Sequence, residues 1–142
     1  MVYKFIVTAL FIFAASCSNT DDAIFQDCST PIACTQNFVI ISVTVKDASG
    51  VAIPLDSFKV VDTKTGEDIT LVENTADFET YKKDGYYPIF SDAYRLDYQN
   101  KTTTIAFTGY QSDNEVVKET FEVGADCCHV LLKSGNTDIV ID

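Results

Sequence analysis

The residues best suited to chemistry in this chain are five cysteines and one histidine: Cys17, Cys28, Cys34 and the run Cys127-Cys128-His129. Thiols can pair, hold a soft metal ion or attack as thiolates, and an imidazole can act as base or ligand. A zinc or copper site built from Cys28, Cys34, Cys127, Cys128 and His129 has suitable donor types. Its spacing is C-x₅-C rather than C-x₂-C, however, and vicinal cysteines share one tetrahedral ion poorly. A disulfide oxidoreductase would carry C-x-x-C at a helix start, and the sequence has none. A Cys-His hydrolase built on Cys128 and His129 fails on geometry, because neighbours in a strand point to opposite faces. His129 therefore reads as a surface or half-buried strand residue.

Disulfides are the remaining chemistry. A ring joining Cys127 to Cys128 would be strained, so the expected bridges tie Cys28 and Cys34 to Cys127 and Cys128. The partner of each stays open, as do a single bridge and free thiols. Such pairing needs an oxidising compartment, and the N-terminus supplies a reason to expect one. Lys4 gives a short n-region its positive charge, and Phe5 to Ala15 is an apolar run of signal-peptide length, too short to span a bilayer. Ala14, Ala15 and Ser16 then lead into Cys17, which resembles the bacterial lipobox. That resemblance implies cleavage after Ser16 and lipidation of Cys17; an ordinary signal peptide is the alternative. Acyl chains anchor at ~0.8 kcal/mol per buried CH₂, without a spanning helix.

Ser18 to Asp22 is polar and acidic and reads as a solvated tether. It also resembles the acidic export signal of surface lipoproteins in the Bacteroidota, which implies the outer membrane and the cell surface, with a periplasm-facing domain as the alternative. The expected organisation is a signal peptide over 1–16, the lipidated cysteine and tether over 17–36, and one folded domain over 37–142. The formal net charge of the 142-residue chain is −11, falling to about −12 once Lys4 leaves with the signal segment. So acidic a domain repels nucleic acid.

The carboxylates give no better-defined site. Asp21, Asp22, Asp62, Glu67, Asp68, Asp84, Asp92, Asp113 and Asp126 fall largely in expected loops, and none form the close oxygen spacing of a calcium loop. They read as a solvated acidic surface. There is no glycine-rich phosphate loop and no G-x-S-x-G elbow. Tyrosine is the last candidate, concentrated at Tyr81, Tyr86, Tyr87, Tyr94, Tyr98 and Tyr110. Exposed tyrosines supply rigid amphipathic area for recognition, although the same residues can simply cover sheet faces. Tyr86 and Tyr87, beside Pro88, and Tyr110 are the candidate binding residues.

Strands must position all of these. Val39, Ile41, Val43 and Val45 alternate with Ser42, Thr44 and Lys46 at period two, the clearest strand in the chain. Further strands are expected at 57–62, 68–72, 86–90, 94–98, 102–108, 116–123 and 127–133, with a short edge strand at 138–142. Residues 73–84 show no clean period and read as a loop with a short helical turn. Pro88 places its strand at an edge or a strand start. Seven or eight of these nine segments as sandwich strands, with regular turn signals between them, imply an all-β, single-domain, antiparallel sandwich.

Two further resemblances follow from particular residues. Val43-x-Val45-x-Asp47-x-x-Gly50-x-x-Ile53-Pro54, continued by Phe58-x-Val60, resembles the first hairpin of transthyretin-like or carboxypeptidase-regulatory-like (Ig-like) sandwiches. Asp126-Cys127-Cys128-His129-Val130 resembles the C-terminal strand of small Bacteroidota lipoproteins and implies no activity. The expected protein is a non-catalytic lipoprotein without cofactor. Its expected partners are the membrane, through the anchor, and a protein or glycan. A structural envelope-accessory subunit and a metal protein are the alternatives.

Overall fold

A computed structural model describes residues 27–29, 31–72 and 74–141. The signal segment, Cys17 and most of the tether lie outside these residues. Seven strands occur among the described residues: β1 (Ile40–Lys46), β2 (Ser57–Asp62), β3 (Tyr86–Ser91), β4 (Thr102–Gln111), β5 (Asn114–Ala125), β6 (Val130–Ser134) and β7 (Asp138–Val140). They form a three-stranded sheet in the order β3-β1-β7 and a four-stranded sheet in the order β2-β4-β5-β6. The fold is an all-β sandwich.

Burial follows the period-two pattern. Val43 and Val45 of β1, Val60 of β2, Ile105 and Phe107 of β4, and Phe121 and Val123 of β5 are fully or almost fully buried. Strand neighbours point to opposite faces, so one face of each sheet supplies the core. Between the sheets Phe58, Tyr87 and Phe107 meet ring to ring at 5.4–6.1 Å. Tyr87 keeps its hydroxyl satisfied there, accepting from the Leu55 N–H at 2.7 Å and donating to the Ile53 carbonyl at 3.1 Å.

Several elements differ from the sequence expectation. Residues 75–84 form a ten-residue helix, α1 (Thr75–Asp84), rather than a loop with one turn. None of its residues is fully buried, and only Phe78 and Tyr81 pack against the core, too short an apolar stripe to mark it; its caps do. Asn74 Oδ1 accepts from the N–H groups of Ala76 and Asp77, and Gly85 ends the helix in the left-handed region at φ 61°. A side chain at Gly85 would also meet the Val45 carbonyl at 2.7 Å.

Residues 94–98 are not a strand. A 3₁₀ turn spans Asp92–Tyr94, and the Asp97 and Tyr98 N–H groups both bond to the Tyr94 carbonyl. That folding brings Tyr94 and Tyr98 onto Phe90, stacked at 5.7 Å and edge-on at 5.1 Å. Residues 68–72 make only an isolated bridge between Asp68 and Val61. Pro88 does lie in an edge strand, beside an irregularity in the β1–β3 register between Ile41 and Ser42. The expected short final strand is β7, but it runs parallel to β1, so the sandwich is not purely antiparallel.

Strand directions define two poles. Ile40 lies opposite Ser91, Thr102 opposite Gly124, and Asp62 opposite Ile105. One pole therefore gathers residues 27–29 and 31–39, the turn after β2, segment 92–101 and the bend at 126–129. The other gathers the turn after β1, the C-terminus of α1 and the β4–β5 hairpin, where the Tyr110 carbonyl accepts from the Asp56 N–H at 2.8 Å.

Candidate functional site

The cysteine cluster forms at the first pole. Cys28 is bonded to Cys127 and Cys34 to Cys128, each pair with its Cα atoms 5.3 Å apart. The sequence brought these four cysteines together correctly and left their connectivity open. Residues 127–129 are not in a strand, as the sequence had suggested; they form a bend that precedes β6. Asp126 makes the bend, its Oδ1 accepting from the N–H groups of Cys128 at 2.6 Å and His129 at 2.8 Å. The two bridges leave no thiolate among the four cysteines to ligate a metal, which removes the zinc or copper reading of this cluster. Among the described residues, no three His, Cys, Asp or Glu side chains are grouped to hold a metal ion.

His129 is held in a different way from that expected of a strand residue. Its Nδ1 lies 2.7 Å from Asp92 Oδ2 and its Nε2 lies 2.7 Å from Thr35 Oγ1. Asp92 also accepts from the Val39 N–H through Oδ2 at 2.9 Å and from the Val130 N–H through Oδ1 at 2.8 Å. Burial works to raise the Asp92 carboxyl pKa, but the bonds from His129, Val39 and Val130 outweigh it and hold the group below the ordinary carboxylate value. An ionised carboxylate only accepts, so Nδ1 carries the ring proton in the neutral imidazole and Nε2 accepts from Thr35.

The side chains of His129 and Asp92 are 19% and 9% exposed, whereas Thr35 is exposed to solvent. Together with Cys34, Asn37, Arg95 and Cys128 they line a cavity of about 260 Å³. Arg95 donates from a guanidinium nitrogen to the Cys127 carbonyl. Sequence reading singled out His129 but neither Thr35 and Asp92 as its partners nor Arg95 beside them. The available signal was adjacency: Thr35 follows Cys34 and His129 follows Cys128, so the Cys34–Cys128 bridge puts hydroxyl and imidazole side by side.

A larger cleft of about 490 Å³ lies at the same pole, between the turn after β2 and segment 94–101. Its floor is Asp62, whose Oδ2 accepts from the Tyr98 hydroxyl at 2.8 Å and the Thr103 hydroxyl at 3.0 Å. Asp62 Oδ1 accepts from the N–H groups of Lys64 and Thr65. Burial would raise the Asp62 carboxyl; these four donors overcome it and keep the group below its ordinary value. The Tyr98 phenol is pushed well up, by burial first and then by its bond to Asp62.

The candidate binding tyrosines separate. Tyr87 is fully buried, so it belongs to the core and not to a recognition surface. Tyr86 is 45% exposed and Tyr110 is half-buried, both towards the second pole. Cys17, the expected lipidation site, lies outside the described residues. Among those residues no helix is long and apolar enough to cross a membrane. Comparison of the chain with protein-family models, curated proteins and solved structures finds no match.

Proposed function

We propose that this chain is an outer-membrane lipoprotein, anchored through Cys17, whose sandwich presents a protein- or glycan-binding surface at the cell exterior. The observation that carries this reading is the pair of disulfides fastening Cys28 and Cys34 to the 126–129 bend. Bridges of this kind persist in exported proteins, in keeping with a signal segment and lipobox at the N-terminus. The eleven residues from Ser18 to Cys28 reach at most about 40 Å when extended. The tether enters the domain at Cys28, on the first pole, so the second pole, with Tyr86 and Tyr110, is the end farther from the attachment point. Exposed tyrosine at that far pole is the area a partner would use.

The test uses a tagged full-length chain on intact cells and a membrane-impermeant cross-linker. One consistent partner is expected, and its capture should be lost in Tyr86→Ala and Tyr110→Ala while the urea midpoint stays unchanged. Capture only after lysis would overturn surface display and favour a periplasm-facing accessory subunit. Capture unaffected by both tyrosine variants would overturn the assignment of the far pole.

A further inference from the structure

We propose that Thr35, His129 and Asp92 form a nucleophile, a general base and a positioning carboxylate able to hydrolyse esters of short acyl groups. This departs from the sequence expectation of a protein without catalysis, and it does not rest on the membrane-anchor reading. Covalent acyl transfer needs a hydroxyl bonded to a base, and that base bonded in turn to a group that fixes its ring and tautomer. All three links are present: hydroxyl to Nε2 at 2.7 Å, Nδ1 to carboxylate at 2.7 Å, and carboxylate to two backbone N–H groups at 2.8 and 2.9 Å.

The set is rigid before any substrate arrives. Cys34–Cys128 lies one residue before both Thr35 and His129, Asp126 holds the His129 backbone, and Asp92 starts a 3₁₀ turn capped by Ser91. Fastening residues 27–29 and 31–39 would need only the two bridges and the Asp92–Val39 bond. The imidazole adds something else, a base placed between a mostly buried carboxylate and a solvent-exposed hydroxyl. The open depression at this hydroxyl, about 260 Å³, gives a small ester room to reach it but no deep apolar slot for a long chain. Arg95 lines that cavity too and brings a fixed positive charge to it, complementary to an oxyanion.

The steps balance without any co-reactant but water. Thr35 Oγ1 bonds to the ester carbonyl carbon while its proton passes to His129 Nε2, and the carbonyl electron pair moves onto oxygen. Collapse breaks the bond to the alkoxy oxygen, which leaves as alcohol with the proton from Nε2. Water then attacks the acyl-threonine, giving its proton to Nε2. A second collapse releases the carboxylic acid and returns that proton to Thr35. Ester and water become acid and alcohol, and nothing is oxidised or reduced. Asp92 is a positioning residue throughout, holding Nδ1–H and stabilising the imidazolium.

The experiment measures hydrolysis of p-nitrophenyl acetate and butyrate by the full-length chain in detergent, against equimolar free imidazole. Wild type should exceed imidazole, with acetate turned over faster than a p-nitrophenyl octanoate control. Because a positioned base contributes about 10²–10⁴-fold, Thr35→Ala and His129→Gln should lower kcat/KM at least about 100-fold or to the imidazole rate, whichever is higher. Thr35→Ser, which puts a hydroxyl back at the same position, should recover part of the activity lost in Thr35→Ala. Mass spectrometry after a rapid acid quench should find the acetyl group on the peptide containing Thr35. Thr35 is exposed, so its alanine variant keeps the fold, as an unchanged urea midpoint would verify, and that variant decides between the outcomes if His129→Gln unfolds. A wild-type rate equal to free imidazole, a rate unchanged in Thr35→Ala, or acetylation confined to other residues would overturn the proposal and leave the three residues as a fastening only.

Discussion

The two disulfides should stabilise the fold non-additively, and their positions set by how much. In the chain-entropy model, closing a loop the size of the Cys28–Cys127 separation, 99 residues, removes unfolded-state freedom worth ~4.7 kcal/mol. Cys34–Cys128 spans 94 residues when taken alone. With the first bridge in place, however, it closes a ring of only about 7 residues, because Cys28 is near Cys34 and Cys127 adjoins Cys128; that ring is worth ~2.4 kcal/mol. The same holds with the two bridges exchanged. Removing either bridge alone, as Cys28→Ser with Cys127→Ser or Cys34→Ser with Cys128→Ser, should therefore cost ~2–2.5 kcal/mol. Removing both should cost ~7 kcal/mol, far more than twice the single loss, and on the order of the whole stability of such a domain. The assay is urea unfolding of the full-length chain in detergent without reductant, with intact bridges verified by mass spectrometry. Each single removal should lower the urea midpoint by the ~2–2.5 kcal/mol loss divided by the slope, with a parallel thermal melt falling by roughly 10 °C, and the fourfold serine variant should be largely unfolded. Two single losses of ~4–5 kcal/mol each that add in the double removal would refute the shared-loop reasoning.

Other perturbations test other parts of the structure. Tyr98→Phe removes one of the four donors to Asp62 and should cost about 1–2 kcal/mol, read as a shift of the urea midpoint at unchanged slope. Asp62 and Asp92 have carboxyls lowered in the fold. Their contribution is complete above the unfolded value near ~3.9 and is lost as pH falls through the lower folded values. Unfolding followed from pH 6 down to pH 2 should show this loss, with a shallower slope in Asp62→Asn. Asn74→Ala deletes the α1 cap and should cost about 1 kcal/mol, seen as weaker hydrogen-exchange protection in 75–84. Gly124→Ala should be more damaging, by roughly 2–3 kcal/mol, because the added Cβ collides with the Lys101 carbonyl, a backbone atom unable to swing aside.

Much of the sandwich was legible because a strand buried on one face writes its burial at period two. Val43 and Val45, Phe58 and Val60, and the alternation through β4 and β5 all show it. The elements misread are those whose local signal is ambiguous. Tyr94 to Tyr98 alternates like a strand but equally spaces two rings four residues apart, and only Phe90 packed beneath them selects the turn. Helix α1 sets only Phe78 and Tyr81 against the core and leaves no residue fully buried, so its caps are its main mark. Tyr87 looked like a surface residue beside Tyr86; full burial of its ring, with the hydroxyl tied to the 53–55 backbone, makes it part of the core.

The sequence by itself determined the all-β class and set as its leading expectation that Cys28 and Cys34 bridge to Cys127 and Cys128. Both follow from local rules: alternation fixes which face is buried, and strain excludes a bridge between adjacent cysteines. Tertiary structure alone decided which cysteine meets which and what stands beside His129. Asp92, 37 residues from His129, and Thr35, 94 residues away, meet it only after β1, β3 and β6 have come together at one end. Hydrogen bonds reach about 3 Å and carry no trace along the chain. Partners so distant in sequence become visible only when the fold has closed the space between them.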